Sequence, residues 1–311
     1  MSISERRQDV IILGGGPAGL SAALWCSELG LTSVILEKQA RLGGQLHWIH
    51  VPIKNYPGIE LANGAEYLER LTTQLHSRKF EARTSIEIDQ VDVNQKRVVL
   101  RSGEVFAGRA MIIATGVRRR KLGVEGEDKF LGRGILQTGQ TGREELRNKN
   151  LLIVGGGDAA FENASALSAY AHKTYLLHRR ASFSARPAFV ERVIKDPGIE
   201  IITNSAVTSI SGGDLIERVE YINNDTGRLG ALSIDAILIR IGVVPNTELF
   251  RDELDVDEKG YLRIDHTGKT SVADVFAIGD VANPISPTIS TAIGTAATVA
   301  KTIFSKTNWG R

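Results

Sequence analysis

A glycine-rich segment near the start of the sequence carries the residues best suited to bind a phosphate. Gly14, Gly16 and Gly19 have the spacing G-x-G-x-x-G, and Pro17 and Ala18 stand where a helix would begin. In this arrangement the first glycine allows a tight turn, the second lets a pyrophosphate approach the backbone, and the third brings the helix close to a strand. The N–H groups and the dipole at the helix N-terminus attract the phosphates. The segment therefore predicts a dinucleotide site.

Two predicted strands must hold this segment in place. Residues 10–13 form an apolar run directly before the glycines, and residues 34–36 form another directly before Glu37. Short apolar runs of this kind are typical of buried strands. Glu37 lies 18 residues after Gly19, where a dinucleotide fold places an acid that binds ribose hydroxyls. A lone glycine motif is a weak signal, but all five features in register favour a dinucleotide site over an ordinary strand–helix turn.

The same pattern occurs again after the apolar run at residues 151–154. Gly155, Gly157 and Ala160 have the spacing G-x-G-x-x-A, which dinucleotide folds tolerate. Where the first copy has its acid, the second has three basic residues, His178, Arg179 and Arg180. An acid accepts hydrogen bonds from two ribose hydroxyls, whereas a cationic cluster accommodates a 2′-phosphate. The first site is therefore predicted to bind an adenosine with a free ribose, and the second to bind NADP(H).

The composition argues against several other functions. With 42% hydrophobic and 24% charged residues, the 311-residue chain is typical of a globular protein with one large or two medium domains. Its net charge of +2 is too small to indicate nucleic acid as a partner. Residues 281–300 carry no charge, but their prolines and small polar residues argue against a membrane span and favour a buried helix. The N-terminus lacks an apolar signal region, which predicts a cytoplasmic protein.

The single cysteine limits the chemistry that side chains can supply. Cys26 lies within the first predicted helix, where a buried hydrophobic role is favoured over a reactive one. One cysteine forms neither an intramolecular disulfide nor a cysteine metal cluster. The six histidines have no metal-ligand spacing, and no catalytic triad or carboxylate pair is evident. Neither a metal nor a catalytic side chain is therefore predicted.

The second glycine segment lies inside the fold that the first one begins. A predicted strand at residues 111–114 precedes it, and another at residues 275–280 follows it. A helix over residues 64–79 and short antiparallel strands over residues 84–107 are also predicted. We therefore expect an α/β protein with two nested Rossmann-like, three-layer ββα dinucleotide-binding domains. The predicted boundaries place one domain at 1–116 and 245–311 and the other at 117–244.

Nine short motifs, found in the same order, resemble those of the low-molecular-weight thioredoxin reductases. They are GGGPAGL at 14–20, GGQL at 43–46, NYPG at 55–58, ATG at 114–116, GRG at 132–134, GGGDAAFE at 155–162, HRR at 178–180, IGVVPNT at 241–247 and AIGDV at 277–281. The resemblance covers nearly the whole chain. It implies FAD in the domain formed by 1–116 and 245–311, NADP(H) in the inserted domain, and a homodimer. It also implies that Glu37 binds the adenosine ribose of FAD and that Asp280 binds its ribityl chain.

The resemblance implies two sets of cofactor-binding residues. For FAD they are Gly14, Gly16, Pro17, Ala18, Gly19, Glu37, Lys38, Gly44, Gln45, Leu46, Asn55, Ala114, Thr115, Gly116, Gly279, Asp280, Thr288 and Ile289. For NADP they are Gly155, Gly157, Asp158, Ala159, His178, Arg179, Arg180 and Arg186. An alternative role for Asp280 is to cap the helix that follows it. The loop around Trp48 and Tyr56 is equally consistent with surface packing and with a wall of the flavin pocket.

The sequence departs from that family at the position of its redox-active cysteines. Thr138 and Thr141 stand where the C-x-x-C pair is expected. Threonine forms neither a disulfide nor a thiolate, so thioredoxin reduction through an internal disulfide is rejected. Ferredoxin–NADP reductases of the same architecture also lack this pair, and they carry a C-terminal aromatic group. Trp309 is the candidate for that group here, with an exposed residue in a frayed tail as the alternative.

Two smaller departures from the family also bear on the function, and one position bears on a related group of reductases. Bacillithiol-disulfide reductases are disfavoured, because they are expected to have a cysteine where this chain has Ala18. Ser184 stands where the family usually has an arginine, and Arg186 comes two residues later. NAD(H) is therefore kept as an alternative to NADP(H). Pro287 and Thr288 stand where an Arg-Gln pair usually contacts the flavin region.

These features predict an FAD-dependent NAD(P)H oxidoreductase that passes hydride from NADPH to FAD and then electrons to an external acceptor. In such enzymes the cofactors supply the reactivity and the protein supplies the orientation. An electron-transfer protein of the ferredoxin or flavodoxin type is the favoured acceptor, docked on the basic run at residues 118–121, although such a run is more commonly a solvated loop. The alternatives are a low-turnover flavoprotein that acts as a redox sensor or an electron-accepting subunit, and a reductase of a small disulfide or quinone.

Overall fold

The computed structural model describes residues 5–78, 80–139 and 143–306. They divide into two compact units. The first unit comprises the described residues up to Arg118 together with those from Val244 onwards, and the inserted unit is Arg119–Val243. Both are α/β units of the Rossmann type, with a mainly parallel sheet covered on both faces.

The first unit is built around a sheet whose central strands are parallel. Its elements are β1 (Glu5–Leu13), α1 (Pro17–Glu28), β2 (Ser33–Leu36), α2 (Gly64–Leu75), β3 (Glu81–Arg83), β4 (Ile88–Asp92), β5 (Arg97–Leu100), β6 (Val105–Ile113) and β7 (Val117–Arg119), the last of which ends on the first residue of the inserted unit. The strand order is β3-β2-β1-β6-β5-β4, and a strand from the later part of the chain pairs with β6. Within this sheet β4, β5 and β6 form antiparallel pairs.

Alternate side chains of β1 face opposite layers, as expected for a parallel strand buried on both faces. Val10 and Ile12 pack in the cluster that contains the helices, whereas Ile11 and Leu13 pack in the cluster that contains β4 and β5. All four are essentially inaccessible to solvent. The first unit therefore has the layers expected from the sequence, with the strand before the glycines at its centre.

The inserted unit repeats this plan on a smaller scale. Its elements are β8 (Ile135–Leu136), β9 (Asn150–Val154), α3 (Asp158–Leu167), β10 (Lys173–Leu177), α4 (Pro187–Ile194), β11 (Ile199–Ile202), β12 (Ser205–Ser211), β13 (Arg218–Asn223), β14 (Leu229–Ser233) and β15 (Ala236–Ile239). The parallel sheet has the order β11-β10-β9-β15-β8, and β12, β13 and β14 form a separate antiparallel sheet. Leu151 and Ile153 of β9 face the layer of α3 and α4, while Leu152 and Val154 face the antiparallel sheet.

The chain then crosses back to the first unit through β16 (Val243–Pro245), which pairs with β7. The remaining elements are β17 (Val275–Ala277), which pairs with β6, and α5 (Ile289–Ser305), which packs on α1. Among the described residues no helix is long and apolar enough to cross a membrane. The uncharged stretch at 281–300 is instead a loop followed by most of α5, which buries one face.

Three predicted elements have different limits in the structure. The helix predicted over 64–79 ends at Leu75, because the last apolar residue of its buried stripe lies there and residues 76–78 are exposed. The strand predicted at 111–114 is the end of the longer β6. The strand predicted at 275–280 ends at Ala277, and a short 3-10 helix, Gly279–Val281, follows it.

Candidate functional site

The first glycine loop shows a separate requirement at each glycine. Gly14 has a φ of +107°, and a Cβ placed on it would lie 2.5 Å from the carbonyl oxygen of Ala114. A Cβ on Gly19 would lie 1.9 Å from the carbonyl oxygen of Gly14. At Gly16 the nearest described atom would be the Cα of Gly44, at 4.0 Å. Packing therefore requires the outer glycines, whereas Gly16 leaves bare backbone beside open space, which fits the approach of a pyrophosphate.

The N-terminus of α1 is available to an anion. Gly16 is its N-cap residue and Pro17 opens its first turn. No side chain of the described residues caps this end, and the first turn carries no acid. Its N–H groups and positive dipole end therefore fit the same phosphates.

Glu37 is fixed by the backbone on both carboxylate oxygens. The N–H of Gly15 donates to Oε2 at 2.7 Å, and the N–H of Gln39 donates to Oε1 at 2.7 Å. The residue is only 7% exposed. Each carboxylate oxygen has a further lone pair, so these bonds orient the group without exhausting its capacity for ribose hydroxyls. Its role in holding the glycine loop was not foreseen from the sequence.

Two distant segments meet close to this loop. The side-chain amide of Gln45 donates to Oδ2 of Asp280 at 3.1 Å across 235 residues of sequence. Burial raises the pKa of the Asp280 carboxyl, and the bond from Gln45 opposes that rise. A Cβ on Gly279, whose φ is +68°, would lie 2.9 Å from the Cβ of Ala18. Residues 279 and 280 are thereby placed against the N-terminus of α1.

The alternative role of Asp280 as a helix cap is not seen, since the following long helix, α5, is capped by Thr288. The Thr288 hydroxyl accepts from the N–H of Thr291 at 3.2 Å, and the Thr291 hydroxyl accepts from the N–H of Thr288 at 3.3 Å. Thr288 thus has a structural role, and its contact with FAD stays a prediction, as does that of Ile289.

The predicted FAD residues divide into those that the structure brings together and those that it does not. The glycine loop, Glu37, Gly44, Gln45, Ala114, Gly279 and Asp280 lie around the carboxyl ends of β1 and β6. The side chain of Leu46 is buried in the hydrophobic core, which leaves only its backbone for a ligand. Lys38 and Asn55 are exposed, and their predicted contacts with FAD stay predictions.

Asn246 is a site residue that sequence reasoning did not single out. Its side-chain amide donates to the carbonyl of Thr115 at 2.7 Å, and the Thr115 hydroxyl donates back to the Asn246 carbonyl at 2.8 Å. Its backbone N–H donates to the carbonyl of Gly116 at 3.0 Å. Asn246 therefore fixes the backbone that follows β6. Its position in the motif at 241–247 was the available signal.

The second glycine loop follows the same rules. Gly155 has a φ of +153°, and a Cβ there would lie 2.2 Å from the carbonyl oxygen of Arg240. For Gly157 the nearest atom would be the hydroxyl of Ser184, at 3.6 Å. Ala160 is fully buried where the first copy has a glycine. Gly157 is the N-cap residue of α3, and no side chain of the described residues caps this end. The bare backbone at Gly157 therefore fits a second dinucleotide.

The predicted cationic cluster contains two arginines and a packed imidazole. A Cβ on Gly156 would lie 2.2 Å from Cε1 of His178, so the ring covers the glycine loop. Its Nε2 lies 3.2 Å from the carbonyl oxygen of Ser182. Burial, aided by the charges of Arg179 and Arg180, holds the pKa of His178 below its usual range. Arg179 and Arg180 are exposed, so their charges are accessible to a ligand.

Arg186 is occupied by an acid of the same site. Its Nε donates to Oδ2 of Asp158 at 2.8 Å, and its backbone N–H donates to Oδ1 at 2.7 Å. Ser184, which replaces an arginine expected from the resemblance, donates to the carbonyl of Gly156 from its N–H and its hydroxyl, at 2.9 and 3.2 Å. Through these hydrogen bonds both residues hold the loop before α4 against the glycine loop and the start of α3. The prediction that Arg186 also binds NADP is untested.

The groups considered for redox chemistry are placed as follows. Cys26 is completely buried, and burial, with a smaller effect of Asp9, raises the pKa of its thiol to about 12. Thr138 is half-buried, while Thr141 and Trp309 lie outside the described residues. Tyr56 packs against Tyr67 with ring centroids 5.4 Å apart, and Trp48 is 49% exposed.

Part of the basic run at residues 118–121 is already paired. Arg118 forms an ion pair with Glu248 and Lys121 forms one with Asp128, each at 2.5 Å. Arg119 and Arg120 are exposed and form no ion pair within the described ranges. The run is therefore only half available to an acidic partner.

Comparison with known proteins assigns the family. Residues 8–296 match the family model for pyridine nucleotide-disulphide oxidoreductases. The chain belongs to this family. It is 32% identical to a thioredoxin reductase of Listeria innocua, over 94% of this chain and 92% of that protein. It is 29% identical to a 34.2 kDa protein in the rubredoxin operon of Clostridium pasteurianum, over 93% of this chain and 94% of that protein.

A solved structure gives the same assignment for the fold. The thioredoxin reductase of Lactococcus lactis superposes with a TM-score of 0.81 at 30% identity, covering 96% of this chain and 98% of that one. The resemblance noted in the sequence is thereby confirmed, as is the α/β fold with two Rossmann-like domains. The family is an FAD-dependent enzyme class, and this member has one cysteine in its whole sequence. It is thus an FAD-dependent NAD(P)H oxidoreductase of the thioredoxin reductase type without an active-site disulfide.

Proposed function

We propose that this oxidoreductase takes hydride from NADPH onto FAD and passes the electrons directly to an external acceptor, an electron-transfer protein of the ferredoxin or flavodoxin type. The observation that carries the proposal is that the only thiol, Cys26, is buried in the core with its pKa raised to about 12. A thiol must ionise and be reached in order to exchange. No internal disulfide relay can therefore stand between the cofactor and the acceptor.

FAD would be held by the first unit. The bare backbone at Gly16 and the N-terminus of α1 suit its pyrophosphate, Glu37 suits its adenosine ribose, and Asp280 suits its ribityl hydroxyls. Bound there, FAD would supply hydride acceptance and release of electrons one or two at a time. Gln45 keeps the Asp280 carboxylate oriented, and Glu37 keeps the loop in its binding conformation.

NADP(H) would be held by the inserted unit. The bare backbone at Gly157 suits a pyrophosphate, and the exposed Arg179 and Arg180 suit a 2′-phosphate. We expect NADPH to be preferred over NADH, because both arginines lie where an acid would select a free ribose. A homodimer is proposed on the resemblance to thioredoxin reductases alone, and the cytoplasmic location stays a prediction from the sequence.

An electron-transfer protein is favoured as the acceptor by two observations. Arg119 and Arg120 leave positive charge at residues 118–121 that could attract an acidic partner. One relative is described as a protein in a rubredoxin operon, which connects this family with an electron-transfer protein. The paired Arg118 and Lys121 would contribute less to such a surface.

The acceptor can be tested by steady-state NADPH oxidation with ferredoxin, flavodoxin, a small disulfide or a quinone. We expect the highest kcat/KM with ferredoxin or flavodoxin at low salt. Arg120→Glu should lower that kcat/KM by about tenfold, because reversing an exposed interface charge slows association. Arg101→Glu is the matched control, since Arg101 is exposed and already paired with Glu87. Rapid turnover with only a quinone or a disulfide would contradict the proposed acceptor.

A low-turnover flavoprotein is the second candidate. It is favoured by the pairing of Arg186 with Asp158 and by the use of Ser184 to fasten the loop, which together leave fewer cations for the nucleotide. This candidate predicts tight FAD binding with slow NADPH oxidation for every acceptor. A fast steady-state rate with any one acceptor would exclude it.

A further inference from the structure

A buried arginine at the carboxyl edge of the inserted sheet has no acidic partner among the described residues. Arg240 follows β15 directly and is only 8% exposed. Its Nη1 donates to the carbonyl of Ile239 at 3.0 Å, and its Nη2 donates to the carbonyl of Gln137 at 3.4 Å. These carbonyls accept hydrogen bonds from two of the five N–H donors of the guanidinium. They do not balance its positive charge.

No acidic side chain in the described part of the chain supplies a countercharge to Arg240. The residues outside the described ranges include no aspartate or glutamate. Among the described residues, no carboxylate lies within ion-pair distance of Arg240. Burial lowers the pKa of Arg240 to about 10, and the positive charge of Arg119 adds to this effect. A buried charge without compensation is costly, so this position favours an anion from outside the protein.

The place of Arg240 in the sheet indicates which anion this is. Strands β10, β9 and β15 are neighbours in that order. Arg179 and Arg180 follow β10, the loop of Gly155 and Gly157 follows β9, and Arg240 follows β15. From β9 the chain continues through α3 to β10 on one side of β9, whereas β15 and β8 lie on the opposite side of β9. In open α/β sheets a ligand binds outside the carboxyl ends at such a reversal of strand order.

The backbone of Arg240 borders the glycine loop itself. Its N–H donates to the carbonyl of Val154 at 2.7 Å, and its carbonyl oxygen is the atom that a Cβ on Gly155 would meet at 2.2 Å. A dinucleotide with its 2′-phosphate at Arg179 and Arg180 and its pyrophosphate at the glycine loop would continue over β15. Adjacent strands are about 4.8 Å apart. The guanidinium extends from β15 to the carbonyl of Gln137, which follows β8 on the side of β15 away from the glycine loop, so it would meet a dinucleotide that continues over β15.

We propose that Arg240 binds the pyrophosphate of NADP(H) from the nicotinamide side. The inference rests on the proposed NADP(H) site of the inserted unit. It adds to that site a buried cation that was absent from the residues implied by the resemblance. A bound pyrophosphate would neutralise the positive charge of the guanidinium. The guanidinium would in turn hold the pyrophosphate at the point where the nicotinamide half leaves the glycine loop.

The test compares two probes by calorimetric titration. NADP⁺ contains both the 2′-phosphate and the pyrophosphate, whereas 2′-AMP contains only the 2′-phosphate. Arg240→Met should weaken NADP⁺ binding by about 10- to 100-fold, as expected for loss of a charged hydrogen bond, and should leave 2′-AMP binding unchanged. The control Arg180→Gln should weaken both probes. Without ligand, the thermal midpoint of Arg240→Met should be unchanged or raised, because an uncompensated charge is removed.

Each other outcome is informative. If Arg240→Met binds NADP⁺ like the wild type while Arg180→Gln does not, the role of Arg240 is wrong and the NADP site stands. Equal losses for both probes in Arg240→Met would show a merely structural role and overturn the inference. If the wild type binds neither probe, the NADP site itself is wrong. Should Arg240→Met fail to fold, Arg240→Lys carries the test with the same selective loss expected on a smaller scale.

Discussion

Gly16 and Gly19 lie three residues apart, yet a side chain added to them should have opposite consequences. Gly16 is an N-cap residue with φ −74° and ψ −174°, a conformation open to any residue. A Cβ there meets nothing closer than 4.0 Å, whereas one on Gly19 would lie 1.9 Å from the Gly14 carbonyl oxygen. The first substitution enters space that a ligand would use, and the second enters the packed protein.

We therefore expect Gly16→Ser to weaken FAD binding while preserving the fold. Serine is a good N-cap, so the stability of the apoprotein should stay the same or rise by up to about 1 kcal/mol. FAD affinity, followed by flavin fluorescence, should fall by at least about tenfold because the hydroxymethyl group occupies the phosphate position. Gly19→Ser is the control and should lower the free energy of unfolding by about 1–3 kcal/mol through overpacking. Unchanged FAD affinity in Gly16→Ser would show that no pyrophosphate approaches there.

The thiol of Cys26 should not react with thiol reagents in the native protein. With its pKa raised to about 12 and no exposure to solvent, it should not react with a thiol reagent at about pH 8. One thiol should become reactive on unfolding in urea. Rapid labelling of the native protein would contradict the assignment of Cys26 to the core.

The same residue should affect stability at alkaline pH. The unfolded thiol ionises near about pH 8.5, while the native thiol stays neutral up to about 12. The contribution of this thiol to the free energy of unfolding is therefore complete below the pKa of the unfolded thiol. It is lost as the pH rises, by at most about 1.4 kcal/mol per pH unit. The difference in unfolding free energy between the wild type and Cys26→Ala should shrink above about pH 8.5. A pH-independent difference would contradict the raised pKa.

At the residue scale the sequence predicted which types of residue would meet, but not how each is used. The spacing of Gly14, Gly16 and Gly19 was informative because the outer two glycines answer local steric requirements and Gly16 leaves space beside the backbone. The two backbone bonds to Glu37 and the packing of His178 over Gly156 depend on loop geometry. Local patterns do not encode such geometry, and the predicted contact of His178 with NADP stays a prediction.

Helix α5 depends on a reciprocal cap at its N-terminus. Thr288→Ala removes the hydroxyl that accepts from the N–H of Thr291, and we expect a loss of about 1 kcal/mol in unfolding free energy. Thr288→Ser keeps the hydroxyl and should be within about 0.5 kcal/mol of the wild type. Urea denaturation of the two apoproteins measures both values. Equal stability of Thr288→Ala and the wild type would show that the cap contributes nothing.

At the element scale, apolar periodicity predicted the buried strands and the helices well. Each turn of α2 and each face of β1 repeats an apolar residue that the core requires. The limits of elements were less accurate. Helix α2 ends where its buried stripe ends, and the 3-10 helix after β17 takes part in contacts between distant segments. Gln45 and Asp280 are one such contact. Asn246 is another, since its bonds to residues 115 and 116 join segments far apart in sequence.

At the scale of the whole molecule, the two units have separate hydrophobic cores. No cluster of buried residues in the described part includes members from both. The order of the two glycine motifs and of the strands around them was enough to predict one fold nested within another. The acceptor was not predictable in this way, because electron transfer from a flavin needs close approach and no particular side chain.

The central claim is that FAD is the only redox centre of the protein. An anaerobic titration of the FAD-loaded protein with NADPH, followed by flavin absorbance, tests it most directly. One NADPH supplies two electrons and FAD accepts two, so the flavin should be fully bleached by a single equivalent. A titration that needs a second equivalent would reveal another acceptor within the protein. Failure of both NADPH and NADH to bleach the flavin would contradict the account altogether.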